Sequence, residues 1–341
     1  MEKTTQLIQD LCLLPGVSGC EEAVREAIAR QLEGHCSMET DARGNLICHK
    51  KGRRTPDKKI MIAAHMDEVG FLITYIEEDG MLRFANVGGV DTRVVIGKPV
   101  MLESGVPGVV GAKPIHLQKK EEQDNPLPMS NLYIDIGASS REEAERLVQL
   151  GDRVTFRTPW RRLGQHKVQA KALDDRAGCA VLVRLLQQEL EYDITAVFTT
   201  LEEVGSVGAT CAAYAQQPQI GIALECTSCA DVPGVSPDRQ VAVQGEGPCL
   251  SIKDKSTLYD RDLYRMAMAL AKEKNIPCQF KRATTGGNDS KAMQRAGDGA
   301  RVLALAMPAR YIHSGASVLD LRDVDATLRL LPELIAALGQ E

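Results

Sequence analysis

Aromatic residues make up only 4% of this 341-residue chain, and Trp160 is its sole tryptophan. That scarcity leaves little from which to build stacking platforms for sugars or nucleobases. Long apolar runs are also missing, and nothing approaches the ~18 consecutive residues needed to cross a bilayer. There is no dense block of Lys and Arg: 41 basic residues face 46 acidic ones, for a formal net charge of −5. Neither nucleic acid nor a membrane is therefore an expected partner. Met1 to Thr5 lack the basic-then-apolar pattern of an export signal, from which a cytoplasmic location is expected. The ten cysteines are scattered and include one CxxC, Cys226 to Cys229, with no second pair to complete a zinc knuckle. Spread in this way they suit a reducing compartment, as small buried apolar groups.

The chain is long enough for a sizeable core and two domains. Residues 4–14 and 21–33 carry apolar side chains at helical spacing, separated by the breaker cluster Pro15 to Gly19. A hairpin is expected from Met38 to Cys48. Lys59 to Ala64 is a continuous apolar run, the pattern of a strand buried on both faces. Between residues 68 and 163 the texture changes to short β-rich runs broken by turn residues, with one helix near Arg141 to Leu150 and a charged loop over 119–125. This segment reads as an inserted small β-barrel domain. From Asp174 onward helices and strands alternate, ending in a helix over Leu321 to Leu338. The fold class expected is α/β, a mostly parallel central sheet covered by helices and formed by residues 1–67 and 164–341.

The chemistry concentrates at strand ends. Ligands of open α/β sheets bind outside the carboxyl ends of the strands. His65 follows the run 59–64, Glu202 and Glu203 follow 193–200, Glu225 follows 220–224, and His313 follows 302–307 by a short loop. Asp174 and Asp175 open the amphipathic run to Leu190, where a helix N-terminus favours negative charge and a plain cap would suffice. Taken together the residues describe a metal site. Two histidines with carboxylates suit zinc, cobalt or manganese rather than calcium. A dinuclear centre needs a bridging carboxylate, and Asp174 is the choice. Two divalent ions already balance the carboxylates of Asp174, Glu202, Glu203 and Glu225. Room for a further negative ligand exists only if Glu202 takes up a proton, which marks it as the general base. Asp67, two residues beyond His65, can fix the tautomer of that ring.

At these residues the chain resembles the M42 family of co-catalytic metallo-aminopeptidases, which includes tetrahedral, glutamyl and cellulase M-like members. The matching stretches are Ala64 to Gly70, Lys171 to Arg176, Leu201 to Gly205, Arg310 to Ser314 and Leu321 to Asp323. Asp135 to Ser140 and Gly286 to Asp289 match as well. The resemblance implies one ion held by Asp174, Glu203 and His313 and a second by His65, Asp174 and Glu225. It implies Glu202 as base, Asp67 as the residue orienting His65, and a cis peptide bond between Asp174 and Asp175. Three positions depart from the usual family pattern: Glu225 in place of Asp, Asn288 in place of Thr, and Gly315 in place of Pro.

The activity expected is hydrolysis of the N-terminal peptide bond of short peptides, with the α-amino group anchored beside Glu225. By resemblance the insert 68–163 supports dimerisation and shapes access, and dimers assemble into a tetrahedral dodecamer. Two rival readings are a glycosidase working through Glu202 and a second carboxylate, and a catalytically silent scaffold of the same fold.

Overall fold

A computed structural model describes residues 1–341, the side chains at 121 and 122 excepted. In chain order its strands are β1 (Ser37–Thr40), β2 (Leu46–Lys50), β3 (Ile60–His65), β4 (Gly70–Ile76), β5 (Leu82–Val87), β6 (Pro99–Leu102), β7 (Pro107–Ala112), β8 (Leu132–Asp135), β9 (Arg153–Phe156), β10 (Arg161–Leu163), β11 (Lys167–Ala170), β12 (Ile194–Thr199), β13 (Ile220–Ser228), β14 (Cys249–Leu250), β15 (Gln279–Phe280), β16 (Arg301–Arg310) and β17 (Ser317–Asp320). The helices are α1 (Glu2–Leu13), α2 (Glu22–Leu32), α3 (Lys120–Asp124), α4 (Arg141–Glu145), α5 (Leu173–Leu186), α6 (Val207–Gln216), α7 (Arg261–Glu273), α8 (Ser290–Met293) and α9 (Leu321–Leu338).

The large sheet runs β1-β2-β12-β3-β13-β16-β17-β11-β10, with β14 and β15 attached beside β16. Its four central strands, β12, β3, β13 and β16, are parallel, and both flanks are antiparallel. Every residue of β3 is buried, because helices cover both faces and leave no side for polar residues. Ile60, Ile62 and Ala64 face the layer of α1, α2, α5, α7 and α9. Met61 and Ala63 face the other layer, packed with Ala212, Ala213 and Met293 of α6 and α8.

The second sheet is a closed barrel, β4-β5-β8-β7-β6-β9. Its core centres on Phe71, whose ring meets Phe84 and Phe156 edge-on at 4.9 and 5.3 Å between centroids. β10 lies within the expected insert 68–163, yet it pairs with β11 at the edge of the large sheet. Part of the expected charged loop 119–125 is the short helix α3; its side chains at 121 and 122 lie outside the described residues. Gln279 to Phe280 is a two-residue strand parallel to β14.

The start of α5 differs from a plain cap. Asp174 (φ −84°, ψ 108°) and Asp175 (φ −120°, ψ 40°) are not helical, and the peptide bond between them is cis. The capping task falls to Asp175, whose Oδ1 accepts the Gly178 N–H at 3.0 Å. Asp174 is thereby left free to turn its carboxylate elsewhere. Behind it, Arg176 is fully buried and donates to the carbonyls of Met66 and Leu11, both at 2.6 Å.

Candidate metal centre

The parallel core delivers its polar residues to one edge. His65 is the last residue of β3. Glu202 and Glu203 sit in the turn that follows β12, entered through Leu201 at φ 56°. Glu225 lies inside β13 rather than after it, opposite Ala306 of β16. His313 follows β16 in a loop where both it and Tyr311 have positive φ. Strand β11 is antiparallel to β17, which is antiparallel to β16, so β11 shares the direction of the core and delivers Asp174 to the same edge.

These side chains converge. His65 Nε2 is 3.5 Å from Asp174 Oδ1 and 3.7 Å from Glu225 Oε2. His313 Nε2 is 3.7 Å from Asp174 Oδ2 and 3.3 Å from Glu203 Oε1. Asp174 thus faces a His–carboxylate pair on each side, one oxygen to each. Ligand atoms of His65, Asp174 and Glu225 lie within 4.8 Å of one another, as do those of Asp174, Glu203 and His313. Asp174 Oδ1 is buried and has no hydrogen-bond partner. An orphaned buried carboxylate oxygen is costly, and two triads of nitrogen and oxygen donors sharing it fit a pair of divalent ions.

The electrostatics point the same way. Burial pushes the Glu225 and Asp175 carboxyls well above their ordinary range, against the nearby positive charge of His65. Burial lifts Glu202 to about 8, with Asp289, Glu203 and Asp67 adding to the rise. Burial alone would lower His313, but the hydrogen bond and charge of Glu203 overcome it and hold the ring at about 9. Packed carboxylates with two histidines among them make a site that attracts cations.

Asp67 has a wider part than its spacing suggested. The nearest partner of His65 Nδ1 is the Asp67 main-chain carbonyl at 3.1 Å, with the carboxylate Oδ1 at 3.5 Å. That carboxylate accepts the N–H groups of Glu202 and Glu203 at 3.0 and 3.1 Å and the Ser18 hydroxyl at 2.7 Å. Burial works to raise it, yet these bonds and His65 keep its carboxyl below the ordinary range. Ser18 carried no signal in the sequence beyond its place in a breaker cluster. Cys226 is buried, with Sγ 3.3 Å from the Leu173 carbonyl, and Cys229 reaches Asp231 instead; the CxxC does not act as a unit.

A cavity of about 760 Å³ opens from these residues. It is also lined by Lys255, Lys281, Lys291 and Arg295, and by no Phe, Tyr or Trp among the described residues.

The sequence profile of the family described as M42 glutamyl aminopeptidase matches residues 44–330. This chain belongs to the M42 family. The lysyl aminopeptidase of Pyrococcus furiosus is 33% identical to it, over 98% of this chain and 97% of its own. Among solved structures, an aminopeptidase from the archaeon Desulfurococcus kamchatkensis superposes with a TM-score of 0.92 at 32% identity, covering 99% of this chain and 98% of its own. The Pyrococcus horikoshii TET1 peptidase, described as assembling into a tetrahedron or a large octahedral shell, gives 0.87 at 36% identity, over 97% and 99%. This M42 protein is a metal-dependent aminopeptidase, an exopeptidase with the α/β fold of its relatives. No helix among the described residues is long and apolar enough to cross a membrane.

Proposed function

We propose that this M42 aminopeptidase holds two divalent ions, zinc first and cobalt or manganese as alternatives, and releases the N-terminal residue of short peptides. One ion would be held by His65, Asp174 and Glu225 and the other by Asp174, Glu203 and His313. The observation that carries this reading is the placement of the two Asp174 oxygens, each facing its own His–carboxylate pair. When bound, the ions supply carbonyl polarisation and a nucleophile made from water near neutral pH.

The chain's own groups do the rest. Glu202 takes the proton released by the attacking water and delivers it to the leaving amine. Asp67 fixes the His65 ring through its carbonyl and the Glu202–Glu203 turn through its carboxylate. The cationic wall of Lys255, Lys281, Lys291 and Arg295 complements an acidic N-terminal side chain. A glycosidase would leave both histidines without a task and offers the sugar no aromatic platform.

For the whole assembly we read residues 68–163, whose last strand β10 pairs with the large sheet, as the dimerisation and access domain and residues 1–67 and 164–341 as the catalytic domain. Dimers would build a cytoplasmic, tetrahedral dodecamer, a tetrahedron being one assembly described for the Pyrococcus horikoshii relative. The test is chelated enzyme reloaded with Zn²⁺, Co²⁺ or Mn²⁺ and assayed on a panel of aminoacyl-p-nitroanilides. Expected are two ions per chain and faster turnover of Glu and Asp than of Lys and Leu substrates. One ion per chain at full activity would refute the dinuclear reading, and a preference for Lys would refute the acidic one.

A further inference from the structure

The turn after β12 carries the proposed base and one proposed ligand, and its backbone is held by side chains from distant parts of the chain. The Thr200 N–H donates to Asn45 Oδ1 at 2.9 Å, and the Leu201 N–H donates to Glu21 Oε1 at 3.2 Å. The N–H groups of Glu202 and Glu203 go to the two oxygens of Asp67. Successive N–H groups around a left-handed residue form a concavity that takes an anion. Here the left-handed residue is Leu201, φ 56°, and the anionic groups are two buried carboxylates of the chain itself, Glu21 and Asp67.

Glu21 is the residue before α2, and its carbonyl accepts the N–H groups of Val24 and Arg25 as a cap should. Its side chain caps nothing in that helix. Instead Oε1 accepts the Gly19 N–H at 2.9 Å and reaches across to Leu201, 180 residues further along the chain. It thereby holds the strained residue of the turn, and such a conformation persists only where the surroundings enforce it. The loop before Glu21 is fastened to the end of β3. The Ser18 N–H donates to the Glu68 carbonyl at 3.3 Å, and the Ser18 hydroxyl to Asp67 Oδ2 at 2.7 Å. Glu21 and Asp67 are two ends of one brace.

We propose that Glu21 is a positioning residue for Glu202 and Glu203. Acting only through the backbone, as the acceptor of the Leu201 N–H, it fixes where the turn presents both carboxylates. The inference rests on reading Glu202 as the base and Glu203 as a ligand of the ion shared with His313.

The test compares Glu21→Ala, Glu21→Asp and Glu21→Gln in the full-length protein. Each is measured for melting temperature, for kcat and KM on a glutamyl p-nitroanilide at saturating Zn²⁺, and for Zn²⁺ affinity against a chromophoric chelator. Ala removes the acceptor. Asp falls one methylene short of Leu201 but can cap α2 and so keep the fold. Gln retains an oxygen acceptor at full reach. Ala and Asp are expected to lose about tenfold in kcat and to bind one of two ions about tenfold more weakly, with KM within about twofold of wild type. Gln, a weaker neutral acceptor, should stay within about threefold of wild type on both counts. Wild-type kcat and Zn²⁺ affinity in Ala and Asp, whatever their melting temperatures, would overturn the proposal. So would a loss in Gln as large as that in Asp, the comparison that decides the matter if Ala does not fold. A Glu202→Gln protein that keeps its turnover would remove the base reading, while weakened Zn²⁺ binding in Asp but not in Gln would still support the brace on Glu203.

Discussion

The carboxylate of Asp67 accepts the backbone N–H groups of both Glu202 and Glu203, at 3.0 and 3.1 Å, while its own carbonyl meets the ring of His65. One residue therefore locks the end of β3 to the turn after β12 and sets the spacing between proposed ligands that come from different strands.

Replacing it should loosen the ions before it unfolds the chain. Asp67→Asn turns an acceptor into an amide that faces two N–H donors, so metal affinity should fall by about 10–100-fold, as for other residues supporting metal ligands. Competition against a chromophoric chelator measures this, with Glu203→Gln as the reference for direct ligand loss.

Glu202→Gln keeps the shape and removes the proton acceptor. The expected loss in kcat is about 10²–10⁴-fold, with metal content and KM within about twofold of wild type on the same aminoacyl-p-nitroanilide.

Metal uptake should release protons. Glu203 holds the His313 ring protonated up to about 9, so at pH 7 an incoming ion displaces that proton and the apparent affinity falls as pH is lowered from 9 toward 6. Titration calorimetry in buffers of different ionisation enthalpy should return a positive proton count at pH 7 that shrinks at pH 9.

Stability at low pH should follow Asp320, the cap of α9. Burial opposes its charge, but Arg322 and Lys167 overcome this and hold it at about 2 against an ordinary 3.8. The native state thus binds fewer protons than the unfolded one between these values. The stabilisation is present above pH 3.8 and is lost as pH falls through 2. With Arg322 half exposed, solvent screening limits the effect to about 1 kcal/mol. Asp320→Asn should lower the urea midpoint at pH 6 and flatten its decline between pH 4 and 2.

Arg176→Met tests the buried charge behind the site. It strips donors from Met66 and Leu11 and leaves Glu68 with Lys171 as its remaining close cation. The expected cost is about 3–5 kcal/mol, read from chemical denaturation with metal removed.

Much of this was legible in the sequence for a simple reason. A parallel core strand covered on both faces has to be apolar throughout, so the run 59–64 and the amphipathic α9 announce themselves, and a polar residue that ends such a run stands out. The same rule hid the rest. β13 continues through Glu225 to Ser228, because a carboxylate facing a cavity does not end a strand's hydrogen bonds. β10 reads like the turn-rich segment before it and is assigned only by its pairing with β11. The unusual bond after Asp174 came from family resemblance, since no periodicity encodes it. Ser18 is an ordinary turn residue until the fold brings it to the Asp67 carboxylate. The cationic wall is drawn from separate segments between 255 and 295, none of them dense in charge.

The barrel enters and leaves the catalytic unit through strands that lie side by side: Phe71 of β4 is the partner of Val154 of β9. Once those two are zipped, the covalent path from His65 to Asp174 is cut short across that pair, and the entropic cost of bringing the two side chains together falls accordingly. The barrel therefore doubles as a folding clip, one whose closure draws His65 and Asp174 together.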